Sequence, residues 1–376
     1  MQSTPNWHDP ITHLRRTTPD TVQLYFSPSA LHATAHRFQA GFPGLVSYAV
    51  KANPSAEVLA NLAAAGITTF DVASPAEMHA ARAVHPRAVL HYNNPVRSPQ
   101  EVAIAAALNV ASYSVDCPAE LAKLGQLPAG TEIAVRLALP VAGAAYDFGS
   151  KFGVGPQAAT ALLQQVQAMG LIPAITFHPG TQCADPSAWV SYITTSAQVA
   201  KAAGVRLSRL NVGGGFAAHR RGAAPDLEAI FDAILRATQA AFGPNAPALL
   251  CEPGRAMVAD AFTLATRVKA RRPDGTVFLN DGLYGGLAEA RDMHMVDRIQ
   301  VISSTGTVRR GPATACTVFG PTCDSLDRLP DPVPLPDETQ PGDYVLFSGM
   351  GAYSQAIGTA FNGYGLAPSV TVASGA

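Results

Sequence analysis

The chain has 376 residues, 48% of them hydrophobic and 14% charged, with a formal net charge of −1. That is enough apolar material for a large core and about two domains. With no basic run and almost no net charge, nucleic acid and anionic membrane surfaces are excluded as expected partners, which leaves small molecules or a second copy of the chain. No segment approaches the roughly 18 consecutive apolar residues of a membrane span. The opening MQSTPNWHDPITHLRRTTPD carries no apolar signal core. Cys117, Cys183, Cys251, Cys316 and Cys323 are scattered without CxxC spacing, which argues against a disulfide framework and a structural zinc site. No metal is expected, and the cytoplasm is the expected compartment.

From about residue 30 to 265, short apolar runs alternate with Ala-rich helical stretches. LVSYAVKAN reads as a strand, and AEVLANLAAAG as a helix that stops on glycine. The beat returns in TTFDVAS with PAEMHAARAV, RAVLHYNN with SPQEVAIAAALN, and ASYSVD with CPAELAKLGQL. EIAVRLAL, GPQAATALLQQVQAMG, IPAITFH and DPSAWVSYITTSAQVAKAAG continue it, and RLNVGGGF, DLEAIFDAILRATQAAF and ALLCEPGRAMVADA close it. About eight strand–helix beats predict an α/β fold, a (β/α)₈ barrel over 30–265 rather than an open sheet. Beyond residue 265 the helical spacing fades, GGLAEARDM being a weak exception. FTLATRVKARR, TVFLND, IQVISSTG, TACTVFG, DYVLFSGMGAY and SVTVAS alternate with Gly, Pro and Asp turns. Residues 266–376, with a strand from 1–29, are therefore expected to form a second, mainly β domain. LPDPVPLPDETQPGD reads as a Pro-rich loop.

In a barrel, reactive groups sit where strands end at the C-terminal face. Lys51, Asp71, Arg136 and His178 each follow such a run, as do Gly213, Gly214 and Gly215 and then Glu252 with Arg255. Each has a plainer reading. Lys51 could snorkel to solvent at the rim, the glycines could form a flexible turn, Glu252 could be structural, and His178 could be a satisfied core histidine. Their chemistry is also consistent as a set: an amine that burial would make nucleophilic, a glycine backbone and Arg255 for a phosphate, an acid, and a flat ring. Pyridoxal phosphate needs that combination. In FGPTCDSLD (319–327), a thiol, Cys323, stands beside Asp324 and near Asp327 on a turn-like run; alone, Cys323 would read as a small buried hydrophobe.

YAVKANP, FDVAS, SKFG, FHPGTQ, NVGGGF, CEPGR, FGPTCDSLD and GAYSQAIGTAFNGY, in this order between about residues 22 and 366, resemble the fold-type III pyridoxal-phosphate decarboxylases, which share the alanine racemase-like architecture. That family contains the ornithine, lysine, diaminopimelate and arginine decarboxylases. The resemblance implies a barrel with a C-terminal β domain and a homodimer whose active sites combine both chains. It makes Lys51 the lysine that bonds the cofactor and Glu252 the acid at the pyridine nitrogen. His178 becomes the stacked histidine, and Asp71 and Arg136 become polar neighbours. Gly213, Gly214, Gly215, Arg255, Tyr353 and Thr181 are implied to hold the phosphate. Cys323 is implied to cross the dimer interface and to protonate the substrate's Cα, and Asp324 to receive its distal amine.

TCDSLD is similar to the ornithine type, so the expected reaction is L-ornithine to putrescine and CO₂ in polyamine biosynthesis. Lysine, diaminopimelate or a modified diamino acid are the alternatives. NDGLYGGLAEARDMHM (280–295) departs from the family pattern after Gly285, and Asp292 is the candidate second acid for the distal amine, with Glu289 and Arg291 beside it. Two further readings are an alanine-racemase-like enzyme, which would place an arginine where Glu252 stands, and a non-catalytic homologue, which would have lost the cofactor residues.

Overall fold

The computed structural model describes residues 7–125, 127–140, 145 and 149–375. It divides into two compact units, Ala35–Ala217 with Pro225–Gly254, and Met1–Thr34 with Ala218–Ala224 and Arg255–Ala376. The expected boundary at residue 265 falls inside a strand of the second unit, which pairs there on both flanks.

After a first strand, β1 (Gln23–Phe26), which belongs to the second unit, the barrel unit forms from eight parallel strands. They are β2 (Leu45–Ala49), β3 (Thr69–Val72), β4 (Val89–Tyr92), β5 (Ser112–Val115), β6 (Glu132–Leu137), β7 (Ile172–Phe177), β8 (Arg209–Asn211) and β9 (Ala248–Cys251). They close in chain order, β9 pairing with β2 through Leu45↔Leu250. β3 and β5 are buried along their whole length, because helices cover one face of a parallel barrel and side chains fill the other.

The intervening helices begin and end on chemistry visible in the sequence. In Pro99–Ala107 the Ser98 hydroxyl accepts Glu101 N at 3.2 Å, while the Glu101 carboxylate accepts Ser98 N at 2.7 Å, a reciprocal cap. Ser187–Ala203 stops at Gly204, φ 68°, where a side chain would be strained.

The second unit is a twisted mixed sheet. β10 (Phe262–Arg271) pairs antiparallel with β1 and, on its other edge, with β16 (Tyr344–Ser348). β11 (Val277–Leu279) extends from the far end of β10 after a bulge between Val268 and Ala270. β12 (Ile299–Ile302) flanks β16, and β17 (Val370–Thr371) flanks β1. β13 (Ala313–Cys316) and β15 (Val333–Pro336) form a separate pair, and β14 (Val318–Phe319) runs parallel to β11. β15 lies within the segment expected to be a Pro-rich loop. Pro334 and Pro336 are tolerated because each strand of a two-stranded sheet has a free edge. A helix at Pro10–Thr17, capped by Asp9, was not expected, since two turns leave too little periodicity to read. Leu14 from it packs with Tyr25, Ile302, Tyr344 and Leu346.

Candidate active site

Parallel strands deliver their C-terminal residues to one face, and in the barrel unit that face carries a connected polar network. Lys51 Nζ lies 3.5 Å from Asp71 Oδ2. Asn93, just past β4, donates Nδ2 to Asp71 Oδ1 at 3.2 Å and also to Glu252 Oε1. Asn211, the last residue of β8, donates its own Nδ2 to the same Glu252 oxygen. Glu252 is 6% exposed. Burial, reinforced by the charge of Asp71, pushes its carboxyl up to about 8, against the pull of Lys51, Asn211 and Arg136. Asn93 thus links the carboxylates of Asp71 and Glu252. Asn93 and Asn211 are functional neighbours that the sequence reading missed. Both are polar residues at strand ends, the signal that identified the others.

Lys51 differs from expectation in one respect. Its side chain is 46% exposed, so burial is not what would activate it within this chain. Arg136 donates to Asn93 O at 3.4 Å and lies 5.3 Å from the Phe152 ring centre. His178 Nδ1 accepts Gly180 N at 3.1 Å. Desolvation, helped by the positive charges of Lys51 and Arg136, holds the imidazole well below its ordinary range, so it is neutral at pH 7. Thr181 is buried, and its carbonyl accepts Ala145 N at 2.9 Å.

The glycine triplet is not a loose turn. A Cβ on Gly213 would sit 2.0 Å from Phe177 O, on Gly214 2.7 Å from Glu252 O, and on Gly215 2.3 Å from Gly180 O. Gly213 and Gly215 also have φ of 69° and 86°. Only bare backbone can lie against the ends of β7 and β9 here. Gly214 brings that backbone close to the His178 ring, since its Cβ would be 3.2 Å from Nε2.

In the second unit, Arg255 is 6% exposed and its guanidinium lies 5.0 Å from the Tyr353 ring centre. Tyr353 adopts φ 64°, a conformation that costs free energy for a bulky residue and gathers at functional sites.

The cysteine loop owes its place to the β11–β14 pairing. Val277↔Val318 and Phe278↔Phe319 are in parallel register, so the segments that follow, 280–286 and 320–327, leave the sheet side by side. Cys323 is exposed, unlike the buried thiol of the plainer reading, and its backbone N donates to Asn362 Oδ1 at 3.0 Å. Asp324 is half-buried; its Oδ2 accepts the Tyr284 hydroxyl and its Oδ1 accepts Leu326 N at 2.9 Å. The Tyr284 hydrogen bond holds the Asp324 carboxyl below its usual range. The Tyr284 ring stands 4.9 Å from that of Phe361. Cys323 and Asp324 face a depression of about 640 Å³, lined also by Lys269, Arg272, Phe278 and Phe319. Asp292 is exposed on the short helix Ala290–Met293, beside the buried Met293, and Arg291 turns back to Leu283 O at 3.2 Å.

Known proteins resemble this chain in sequence and in fold. Residues 29–259 match the family described as pyridoxal-dependent decarboxylase, pyridoxal binding domain. The lysine/ornithine decarboxylase of Selenomonas ruminantium is 33% identical over 337 residues, covering 86% of this chain and 82% of that protein. The chloroplastic ornithine decarboxylase of Nicotiana glauca is 32% identical over 341 residues, covering 86% and 77%. The solved lysine decarboxylase from Selenomonas ruminantium superposes with a TM-score of 0.82 at 30% identity, covering 96% of this chain and 94% of that one.

Proposed function

The chain belongs to the pyridoxal-dependent decarboxylases of basic amino acids, and we propose that its own substrate is L-ornithine, released as putrescine and CO₂. The observation that carries the choice is Asp324, a carboxylate beside Cys323, oriented by Tyr284 and Leu326 to meet a distal ammonium.

The residues present fit pyridoxal phosphate. The barrel unit offers an amine, Lys51, a buried acid, Glu252, a neutral ring, His178, and a glycine backbone that no side chain could replace. When bound, the cofactor draws electrons from the substrate's Cα so that the carboxylate can depart. We assign Lys51 to the covalent link with it and His178 to stacking on its ring. Asn93 and Asn211 both occupy Oε1 of Glu252, so Oε2 is assigned to the ring nitrogen, where its raised pKa lets Glu252 hold a proton. Arg255, Tyr353, Thr181 and the glycines 213–215 are assigned to the phosphate, Asp71 to Lys51, and Arg136 to the outer wall. Cys323 Sγ supplies the proton to Cα after CO₂ has left.

Cys323 and Asp324 sit on an exposed loop, and we assign them to the site of a second copy in a homodimer. Among the described residues no helix is long and apolar enough to cross a membrane. All five cysteines are free thiols, which supports a reducing compartment, the cytoplasm. CO₂ release from ornithine, lysine, diaminopimelate and arginine tests the substrate. Ornithine should show the highest kcat/KM, and preference for the dicarboxylate would overturn the assignment of Asp324.

A further inference from the structure

The second unit holds a buried ionic cluster of which these assignments use only Arg255. Glu289 precedes the short helix Ala290–Met293 and is 7% exposed. Its Oε2 accepts Arg255 Nη1 at 2.6 Å and Arg220 Nη1 at 2.8 Å, and its Oε1 accepts Arg255 Nη2. Arg220 also donates Nη2 to His294 O at 2.8 Å. The side chains of all three are at most 9% exposed. Buried charges need partners, and Glu289 serves both arginines, so these three side chains by themselves sum to a positive charge. The carboxylate engages the end of the Arg255 guanidinium through two of its five N–H groups, while the Tyr353 ring lies 5.0 Å from the same group. These contacts define both the position and the plane of the guanidinium.

We infer that Glu289 is a positioning residue for the cofactor's phosphate: it fixes the guanidinium plane of Arg255, and Arg220 offsets its charge so that Arg255 still attracts an anion. This rests on the assignment of Arg255 to the phosphate. Without Glu289, Arg255 regains rotamer freedom that binding must again remove. Simple electrostatics gives the opposite sign, since deleting an acid beside an anion site should tighten anion binding.

The test measures binding of pyridoxal phosphate and of pyridoxal, which lacks the phosphate, to the full-length apoprotein by equilibrium dialysis. Glu289→Gln should weaken pyridoxal phosphate roughly tenfold or more and pyridoxal less than about twofold. Unchanged or tighter binding of pyridoxal phosphate, or equal loss for both ligands, overturns the inference. Glu289→Asp keeps the charge on a shorter stem and should show a smaller loss of the same selectivity. It carries the test should Glu289→Gln fail to fold, and an undiminished preference for the phosphorylated ligand then overturns the inference. Arg255→Gln separates the two levels. If it keeps the preference for the phosphorylated ligand, the assignment of Arg255 fails; if it loses that preference while Glu289→Gln does not, only the role of Glu289 fails.

Discussion

The carboxylate of Asp327 accepts the backbone N–H of Leu283 at 2.8 Å, so the cysteine loop fastens the loop that leaves the neighbouring strand. The same carboxylate takes Thr322 N at 3.1 Å and Thr322 Oγ1 at 2.8 Å. Gly282 and Gly320 approach it so closely that a Cβ on either would lie 2.2 and 2.3 Å from its oxygens. The two acids of TCDSLD therefore divide the work, Asp327 turned inward to hold the loop and Asp324 turned toward the depression beside Cys323.

Asp327→Ala strips three buried or half-buried donors of their acceptor. It is expected to cost about 2–4 kcal/mol of stability, read by urea denaturation. Asp327→Asn, which keeps an acceptor oxygen, should lose less. Equal stability of wild type and the alanine variant would show that solvent satisfies these donors.

Lys51→Ala should fold like wild type, because the side chain is 46% exposed. Turnover should be abolished, and borohydride should no longer fix the cofactor to the protein. Persistence of a borohydride-reducible link would assign the covalent bond to another lysine.

Lys51→Ala and Cys323→Ala chains, each inactive alone, should regain about a quarter of wild-type activity when mixed, from the statistics of symmetric dimers with one competent site per heterodimer. Subunit exchange is verified separately by a tag. Exchange without recovery would place both residues in a site built by one chain.

Asp324→Asn should lower kcat/KM for ornithine by roughly 30- to 1000-fold and leave the cofactor's absorbance unchanged. Tyr284→Phe, which removes one hydrogen bond to that carboxylate, should cause a smaller loss in the same direction. Ornithine turnover unaffected by Asp324→Asn would mean that the carboxylate does not read the amine.

Asp281 is 3% exposed and accepts Gly286 N at 2.9 Å. Burial, with a contribution from the Asp327 charge, pushes its carboxyl up to about 7 from 3.8, against the Gly282 and Gly286 N–H groups. The folded chain thus holds a proton that the unfolded chain releases, so the contribution to stability is full below about pH 4 and is lost as pH rises through about 7. Asp281→Asn should flatten the stability–pH curve in that window, by roughly 2–4 kcal/mol in total. Parallel wild-type and variant curves from pH 4 to 8 would refute this titration.

The barrel was legible in the chain because each strand–helix beat is local. Apolar runs, serine and proline helix starts such as Ser98–Pro99, and glycine stops such as Gly204 act within a few residues of one another. The strand-end residues Lys51, Asp71, His178 and Glu252 were legible for the same reason, since a parallel barrel sends every strand end to one face. What the sequence could not decide depends on contacts between distant segments. Asn93 and Asn211 matter because both reach one oxygen of Glu252, 159 and 41 residues away. The glycine triplet is obligatory because of carbonyls at Phe177, Gly180 and Glu252, not because of its own flexibility. Glu289 meets Arg220 and Arg255 across 69 and 34 residues. Asp292 is exposed on the 290–293 turn while its neighbour Met293 is buried, and charge and spacing alone do not say which partner it meets. Local sequence specifies dihedral preference and hydrophobic period, whereas which side chains share a hydrogen bond is settled only when the β11–β14 register and the barrel closure bring remote loops together.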